Sequence, residues 1–392
     1  MPSFKICVNF ALALMLTACA GSYDRTALTP TPENYETFLP VGITPDSRYF
    51  EDDSRDPLAT LNAEMRKTLA QVPRGQGLNI LALSGGGQHG AFGAGVLNGW
   101  TDKGTRPSLD VVTGISTGAL IAPFAFLGPD YDSRLKRFYT ETATRDVVRL
   151  DVSGAVFGRG FLTKATPLKA AIKQELTDDL IREIAEQHRL GRQLLIGTTN
   201  IDAERPVLWN IGAMAQTDTP GARELIRDVI LASVSIPVVF QPVTIKVTNG
   251  EVQREELHVD GGLTREIFAY PYDLQMRQLL RDARLSNQKN RIWLIHNKTL
   301  EPSFDPLPGN ATAVAKRAFE MLIRSQSLGN IESILTLANR DGFQANITYI
   351  PKEFQGKPQE PFDPENMTEL FAIGYWAGQH KEGWIYDAQQ WQ

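Results

Sequence analysis

Leu78-Asn79-Ile80-Leu81-Ala82-Leu83-Ser84-Gly85-Gly86-Gly87-Gln88-His89-Gly90 decides the fold of this chain. An apolar run of strand length ends in three consecutive glycines, and a helical pattern with Ala91, Phe92, Ala94, Val96, Leu97 and Trp100 follows. Glycines at such a junction let successive backbone N–H groups turn toward one point. The N-terminus of the next helix adds its unpaired donors and the positive end of its dipole. A loop of this kind is suited to hold an anion, either a bound phosphate or a transient oxyanion.

Working outward, Val111-Val112-Thr113 leads into Gly114-Ile115-Ser116-Thr117-Gly118 and then an apolar stretch from Ala119 to Leu127. G-x-S-x-G between a strand and a helix is the setting of a nucleophile elbow, with the serine hydroxyl exposed on a sharp turn. Pro123 is expected to kink or restart the helix that follows. Further on, Val243 to Val247 and Glu251 to Val259 flank Asn249-Gly250, a hairpin signal. That hairpin delivers Asp260-Gly261-Gly262, an acid on a glycine turn.

These three segments, in this order, resemble the patatin-like lipid acyl hydrolases. That family carries a G-G-G-x-[RK]-G oxyanion loop, a G-x-S-x-G serine and a D-G-[GA] aspartate, matched here by Gly85 to Gly90, Gly114 to Gly118 and Asp260 to Gly262. The segment Ala232-Ser233-Val234-Ser235-Ile236-Pro237-Val238-Val239-Phe240-Gln241-Pro242 is similar to the family's A-S-x-x-x-P-x-x-F-x-P stretch. The resemblance spans roughly residues 78 to 272 and departs from the pattern at His89, where the family has Arg or Lys. It implies a three-layer α/β/α fold and acyl transfer without a cofactor. Ser116 would be the nucleophile and Asp260 its base, with N–H groups of Gly86 and Gly87, together with Gly85, as oxyanion donors. His89, Gly90, Gly114, Gly118, Gly261 and Gly262 would be supporting motif positions.

Read without the resemblance, Ser116 needs a base, and the usual partner is histidine. The histidines are His89, His188, His258, His296 and His380, and none stands in a short Ser…Asp…His order. A Ser-His-Asp esterase stays open beside the Ser-Asp dyad, as does a lipid-binding scaffold with a relict site. His258 and His296 are expected to be structural, His296 as a satisfied core residue. Gly85 to Gly90 also satisfies G-x-G-x-x-G, but a dinucleotide site wants an acid at the end of the second strand. Asp110 precedes that strand and the elbow serine occupies its end, so this reading is rejected.

Strand and helix patterns alternate to Ile292–His296, taken as the last core strand, which argues a mainly parallel sheet. Helices are expected at Leu58–Val72, Tyr131–Glu141, from Thr166-Pro167, after Thr177, Arg223–Ala232 and Tyr272–Leu285. Asp151 to Leu162 is glycine-spotted and reads as a buried loop or a flank of an acyl pocket. The chain divides into a leader (1–18), a proline-rich tether and arm (19–74), a catalytic domain (75–300) and a mostly helical extension (301–392).

Of 392 residues, 42% are hydrophobic and 22% charged, enough for one large core or two domains. A net charge of -5 without a basic block excludes nucleic acid as the expected partner. No H-E-x-x-H, paired-cysteine or EF-hand pattern is present, so no metal is expected. Both cysteines, Cys7 and Cys19, fall in the first twenty residues, which leaves no disulfide framework for the body. Lys5 and the short apolar run Phe10 to Leu16 form a targeting segment too short to span a bilayer. Leu16-Thr17-Ala18-Cys19 resembles the bacterial lipoprotein cleavage box. That resemblance implies lipidation of Cys19, and with Ala20 next, sorting to the outer membrane of the cell envelope. Membrane lipid is then both the expected substrate and the expected partner.

Overall fold

The computed structural model describes residues 25–50, 58–141, 149–150, 163–164 and 166–388, apart from positions 238, 303, 305, 355, 357 and 359. Cys19 and the Asp151–Leu162 stretch lie outside the described residues.

The elements run β1 (Leu39–Pro40), β2 (Arg48–Phe50), α1 (Leu58–Gln71), β3 (Asn79–Leu83), α2 (Gly90–Asp102), β4 (Val111–Ile115), α3 (Thr117–Leu127) and α4 (Asp132–Glu141). A small pair, β5 (Arg149–Leu150) and β6 (Thr163–Lys164), precedes α5 (Thr166–Glu175) and α6 (Asp178–Arg189). Then come β7 (Gln193–Asn200), β8 (Arg205–Asn210), α7 (Ile211–Gln216), α8 (Pro220–Ser233), β9 (Val243–Thr248) and β10 (Gln253–Asp260). The chain closes with α9 (Met276–Asp282), β11 (Arg291–His296), α10 (Ala311–Asp341), β12 (Gln344–Tyr349) and α11 (Pro364–Gln379).

One sheet organises these elements, in the order β1-β9-β10-β7-β4-β3-β11-β12, with β8 pairing β7 and β2. The adjacent strands β7, β4, β3, β11 and β12 are parallel. The hairpin strands β9 and β10 and the short β1 form an antiparallel flank. Side chains alternate between the faces of the sheet. Ile80, Ala82, Val111, Leu195, Ile292 and Leu294 join one core with α1, α9 and α10. Leu81, Leu83, Val112, Leu194, Ile196 and Ile295 join the other with α2, α3, α8 and α11. Helices on both faces make three layers and explain why β3 reads as an unbroken apolar run: a parallel strand buried on both sides needs no polar face.

Three expectations change. Pro123 does not restart the helix: it lies inside α3, which runs on from Thr117 to Leu127. The Tyr272–Leu285 pattern is helical only over Met276–Asp282, since Tyr272 to Gln275 form a turn with Leu274 N–H bonded to Pro271 O at 3.1 Å. β11 is not the last strand, because β12 pairs parallel to it with Arg291 opposite Gln344. A parallel neighbour needs a crossover, and α10 is that crossover. The proline-rich break at Glu301–Gly309 hides this return in the sequence.

α11 lies directly on α2. An ideal Cβ on Gly95 would fall 2.1 Å from Phe371 O, and on Gly99 2.0 Å from Tyr375 O. Reciprocally, one on Gly374 would fall 2.0 Å from Phe92 O, and on Gly378 2.2 Å from Val96 O. Spacing by four puts each glycine pair on one helix face. The two backbones touch where any side chain would force them apart.

Candidate active site

The parallel strands carry the site on their C-terminal ends. β4 ends at Ile115, and Ser116 turns the chain into α3 with φ 52° and ψ −126°. A non-glycine residue at positive φ is strained, and the surroundings hold it there. Ser116 N–H donates to Ser233 Oγ at 3.0 Å, while Ser233 donates to Gly197 O on β7 at 2.7 Å. The turn is tight because the glycines around it touch backbone. A Cβ on Gly114 would lie 2.4 Å from Gly118 O, and one on Gly118 2.4 Å from Leu83 O.

Asp260 ends β10, beside β7. Its Oδ2 accepts the Ser116 hydroxyl at 2.7 Å and its Oδ1 accepts the Gly262 N–H at 2.7 Å. Gly261 packs against the Gly197 carbonyl, 2.6 Å from where its Cβ would be. Burial pushes the Asp260 carboxyl up to about 7 against the hydrogen bond from Ser116, with Glu266 adding to the rise, while the Gly262 N–H and Lys298 oppose it. A carboxylate that ionises near neutrality is matched to general-base work.

The glycine loop faces this pair. Gly86 takes φ 159° and ψ −1°, and its α-carbon is pressed against Asn297, whose carbonyl oxygen lies 2.5 Å from an ideal Cβ. Gly86 and Gly87 line the same cavity as Ser116 and Asp260. No hydrogen bond among the described residues takes up either N–H. Gly85 differs from expectation: its N–H donates to the Glu266 carbonyl at 3.2 Å and is thereby turned away from oxyanion duty. Gly90 opens α2, and a Cβ there would fall 2.3 Å from Thr117 Oγ1 and 2.6 Å from the Tyr139 hydroxyl, which bond each other.

The histidines divide clearly. His258 is fully buried, with Nδ1 at 3.0 Å from Thr198 Oγ1 and Nε2 at 3.1 Å from Glu256, away from Ser116. His296 lines the cavity, its Nδ1 at 3.1 Å from Lys298 O and its Nε2 without a partner among the described residues, so it is not the satisfied core histidine expected. His89 also lines the cavity; burial, and then Lys298, push it down to about 4, so its imidazole is neutral at physiological pH. It does not carry the charge that Arg or Lys would bring.

The cavity measures about 990 Å³. Its walls also include Ile236, Leu263, Phe319, Leu322, Ile323 and Phe354. A nucleophile in a cavity whose walls are mostly apolar suits an ester with a long hydrocarbon chain. Among the described residues no cluster of His, Cys, Asp and Glu could hold a metal ion, and no helix is long and apolar enough to cross a membrane.

Four residues at the site were not singled out from the sequence for a role there: Ser233, Glu266, Asn297 and Lys298. Ser233 lies in the A-S-x-x-x-P stretch, where its hydroxyl had no evident use. Asn297 and Lys298 follow the C-terminal end of β11, the strand edge where sites of parallel sheets collect. Glu266 carries no signal in the sequence.

The sequence model of the patatin-like phospholipases matches residues 81–271. The crystal structure of VipD from Legionella pneumophila is similar to 80% of this chain and 68% of that one, at 15% identity and a TM-score of 0.38. No curated protein sequence matches. The matched segment holds the glycine loop, Ser116 and Asp260, and residues 81–271 are a patatin-like phospholipase domain, which supports lipid acyl hydrolase activity in general.

Proposed function

We propose that this protein is a membrane-anchored serine acyl hydrolase that cleaves ester bonds of phospholipids or related acyl lipids through Ser116 and Asp260. The observation that carries the reading is the direct 2.7 Å contact between the Ser116 hydroxyl and Asp260 in a cavity with mostly apolar walls. Ionised Asp260 takes the serine proton as Ser116 Oγ attacks the ester carbonyl. The N–H groups of Gly86 and Gly87 hold the resulting oxyanion. Collapse expels the lipid alcohol, which takes the proton back from Asp260, and leaves acyl-Ser116. Asp260 then activates a water, which releases the fatty acid and restores the serine.

The membrane part of the proposal rests on two features. Cys19 sits in the lipoprotein-like box, and at most about 20 Å of extended chain separates it from Arg25. Arg25 is clamped to Asp202, in the turn after β7, by bonds of 2.7 and 3.1 Å. That turn follows the strand edge that carries the site. Near the cavity, Met321 and Leu322 on α10 are 63% and 69% exposed, and Leu322 also lines the cavity. An apolar surface continuous with the pocket fits a lipid surface from which substrate is drawn. Outer-membrane sorting follows from Ala20 in the same box.

Incubating the purified protein with phosphatidylcholine, lysophosphatidylcholine and triacylglycerol tests the reading. Release of fatty acid by wild type and not by Ser116→Ala is expected from at least one of the three. Equal release by both proteins, or none from any substrate, overturns it.

A further inference from the structure

The oxyanion loop of this chain lacks the basic residue its motif leads one to expect, and the neutral His89 does not replace it. A cation is nevertheless close by. Lys298 lines the same cavity as Gly86, Gly87, Ser116 and Asp260.

Its placement is built from several directions. Asn297, the preceding residue, donates its N–H to Ser84 Oγ at 2.8 Å and its Nδ2 to Ser84 O at 3.0 Å, and accepts Gly93 N–H at 3.0 Å. Ser84 precedes the glycine loop and Gly93 lies in α2, which follows it, so the two sides of the loop are tied to this one side chain. The Lys298 carbonyl accepts Ile350 N–H at 3.3 Å, from the segment after β12. Its ammonium forms a salt bridge with Glu266.

Glu266 is itself fixed. Its N–H donates to Asn330 Oδ1 on α10 at 2.8 Å, and its carbonyl takes the Gly85 N–H. Its carboxylate oxygens lie 2.7 Å from the ideal Cβ positions of both Gly85 and Gly262. It is wedged between the oxyanion loop and the turn that carries Asp260, with its side chain 3% exposed. A carboxylate so deeply buried beside Asp260 needs a countercharge.

We propose that the Lys298 ammonium, held by Glu266 on a backbone that Asn297 ties to the loop, supplies the positive charge of the oxyanion loop and offsets the negative charge that develops when Ser116 attacks. This rests on the acyl-hydrolase reading above. Lys298 acts as a positioning residue through the field it sets up, not by contact with the ester. A preorganised charge near a developing oxyanion needs no rearrangement during the reaction. The other titratable or charged groups lining the cavity are His89, Asp260, Glu266, His296, Glu320 and Arg324. Glu266 and Lys298 act on Asp260 with opposite sign: the carboxylate raises its pKa and the ammonium lowers it.

The test compares wild type with Lys298→Met, Lys298→Arg, Glu266→Gln and the double variant Lys298→Met/His89→Arg on a soluble chromogenic short-chain ester. Lys298→Met is expected to lower kcat roughly tenfold to a hundredfold with KM nearly unchanged, and to move the acid limb of the pH profile upward. Glu266→Gln should move that limb downward. Lys298→Arg should keep kcat within a few-fold, and His89→Arg should restore part of the loss in the double variant by returning a charge to the loop. Thermal melting checks that each variant folds, and Lys298→Gln substitutes for any Met variant that does not. If Lys298→Arg falls as far as Lys298→Met, or if a folded Lys298→Met keeps wild-type kcat and acid limb, the inference is overturned. Ser116→Ala runs alongside. Wild type no faster than Ser116→Ala overturns the hydrolase reading itself, an outcome distinct from an active wild type indifferent to Lys298.

Discussion

The Ser116 hydroxyl donates directly to Asp260 Oδ2 at 2.7 Å, and no imidazole among the described residues stands between them. The base therefore touches the nucleophile without a relay. His258 is committed to Thr198 and Glu256, and His296 keeps its Nδ1 on the Lys298 carbonyl.

Asp260→Asn should lose activity by about 10²–10⁴, the scale of lost general-base help, and Ser116→Ala, which removes the nucleophile, should be nearly inactive, both staying folded. His258→Gln and His296→Gln should retain most of it. Rates on a soluble ester, with melting curves for folding, decide this. A folded histidine variant as inactive as Ser116→Ala would restore the Ser-His-Asp alternative.

Activity should rise with pH through about 7 as Asp260 ionises. The sign for stability is opposite. The folded-state pKa lies above the ordinary carboxylate value of 3.8, so the folded protein holds an extra proton between the two, and stability is lost as pH rises from about 3.8 to about 7, the full cost being present above that. Asp260→Asn should therefore melt several degrees above wild type at pH 8, with the advantage fading toward pH 4. Melting temperatures measured across that range check the prediction.

Ser233→Ala removes the acceptor of the Ser116 N–H and the donor to Gly197 O, leaving two buried backbone groups unpaired. Each such loss costs about 1–3 kcal/mol. The elbow should relax from its positive φ, lowering kcat roughly tenfold or more with a fall in Tm. An unchanged kcat would mean that the turn holds itself.

On α10, Met321→Asp and Leu322→Asp should cut activity on phospholipid vesicles several-fold and leave hydrolysis of a water-soluble ester nearly intact. Both side chains are exposed, so folding should not suffer. Equal loss on both substrates would place the effect in the pocket and not at the lipid surface.

At the N-terminus, Cys19→Ser should abolish incorporation of a palmitate analogue and release the protein from membranes. Wild type that takes up no label would remove the anchor from the proposal.

The parallel strands and the elbow were legible because both are local. β3, β4, β7 and β11 are apolar runs bounded by glycine or polar turns, and Gly114 to Gly118 declares a strand-to-helix corner. Gly85 reads like its neighbours in sequence, and only the fold shows its N–H spent on Glu266. Lys298 and Glu266 were hidden for a related reason. Their partnership joins residues 32 positions apart, on loops leaving two different strands, and neither stands in a pattern. His89 was legible as a departure, but its neutrality depends on burial and on Lys298, which a sequence does not display. β12 stands beside β11 only through the long crossover of α10, a neighbour that a local pattern does not show.

The glycine seam between α2 and α11 bears on how this protein tolerates shortening and change. α2 springs from the oxyanion loop, and Gln88 in that loop accepts the Phe362 N–H at 2.6 Å just before α11 begins. The segment that matches the family, 81–271, contains neither β11, the neighbour of β3, nor α11. A chain cut back to that segment would keep every residue of the dyad and the glycine loop, yet lose the surfaces that hold them in place. Heritable variation in the last hundred residues is then constrained by chemistry performed elsewhere: a single methyl group gained at Gly374 or Gly378 would reach the nucleophile's surroundings through one helix.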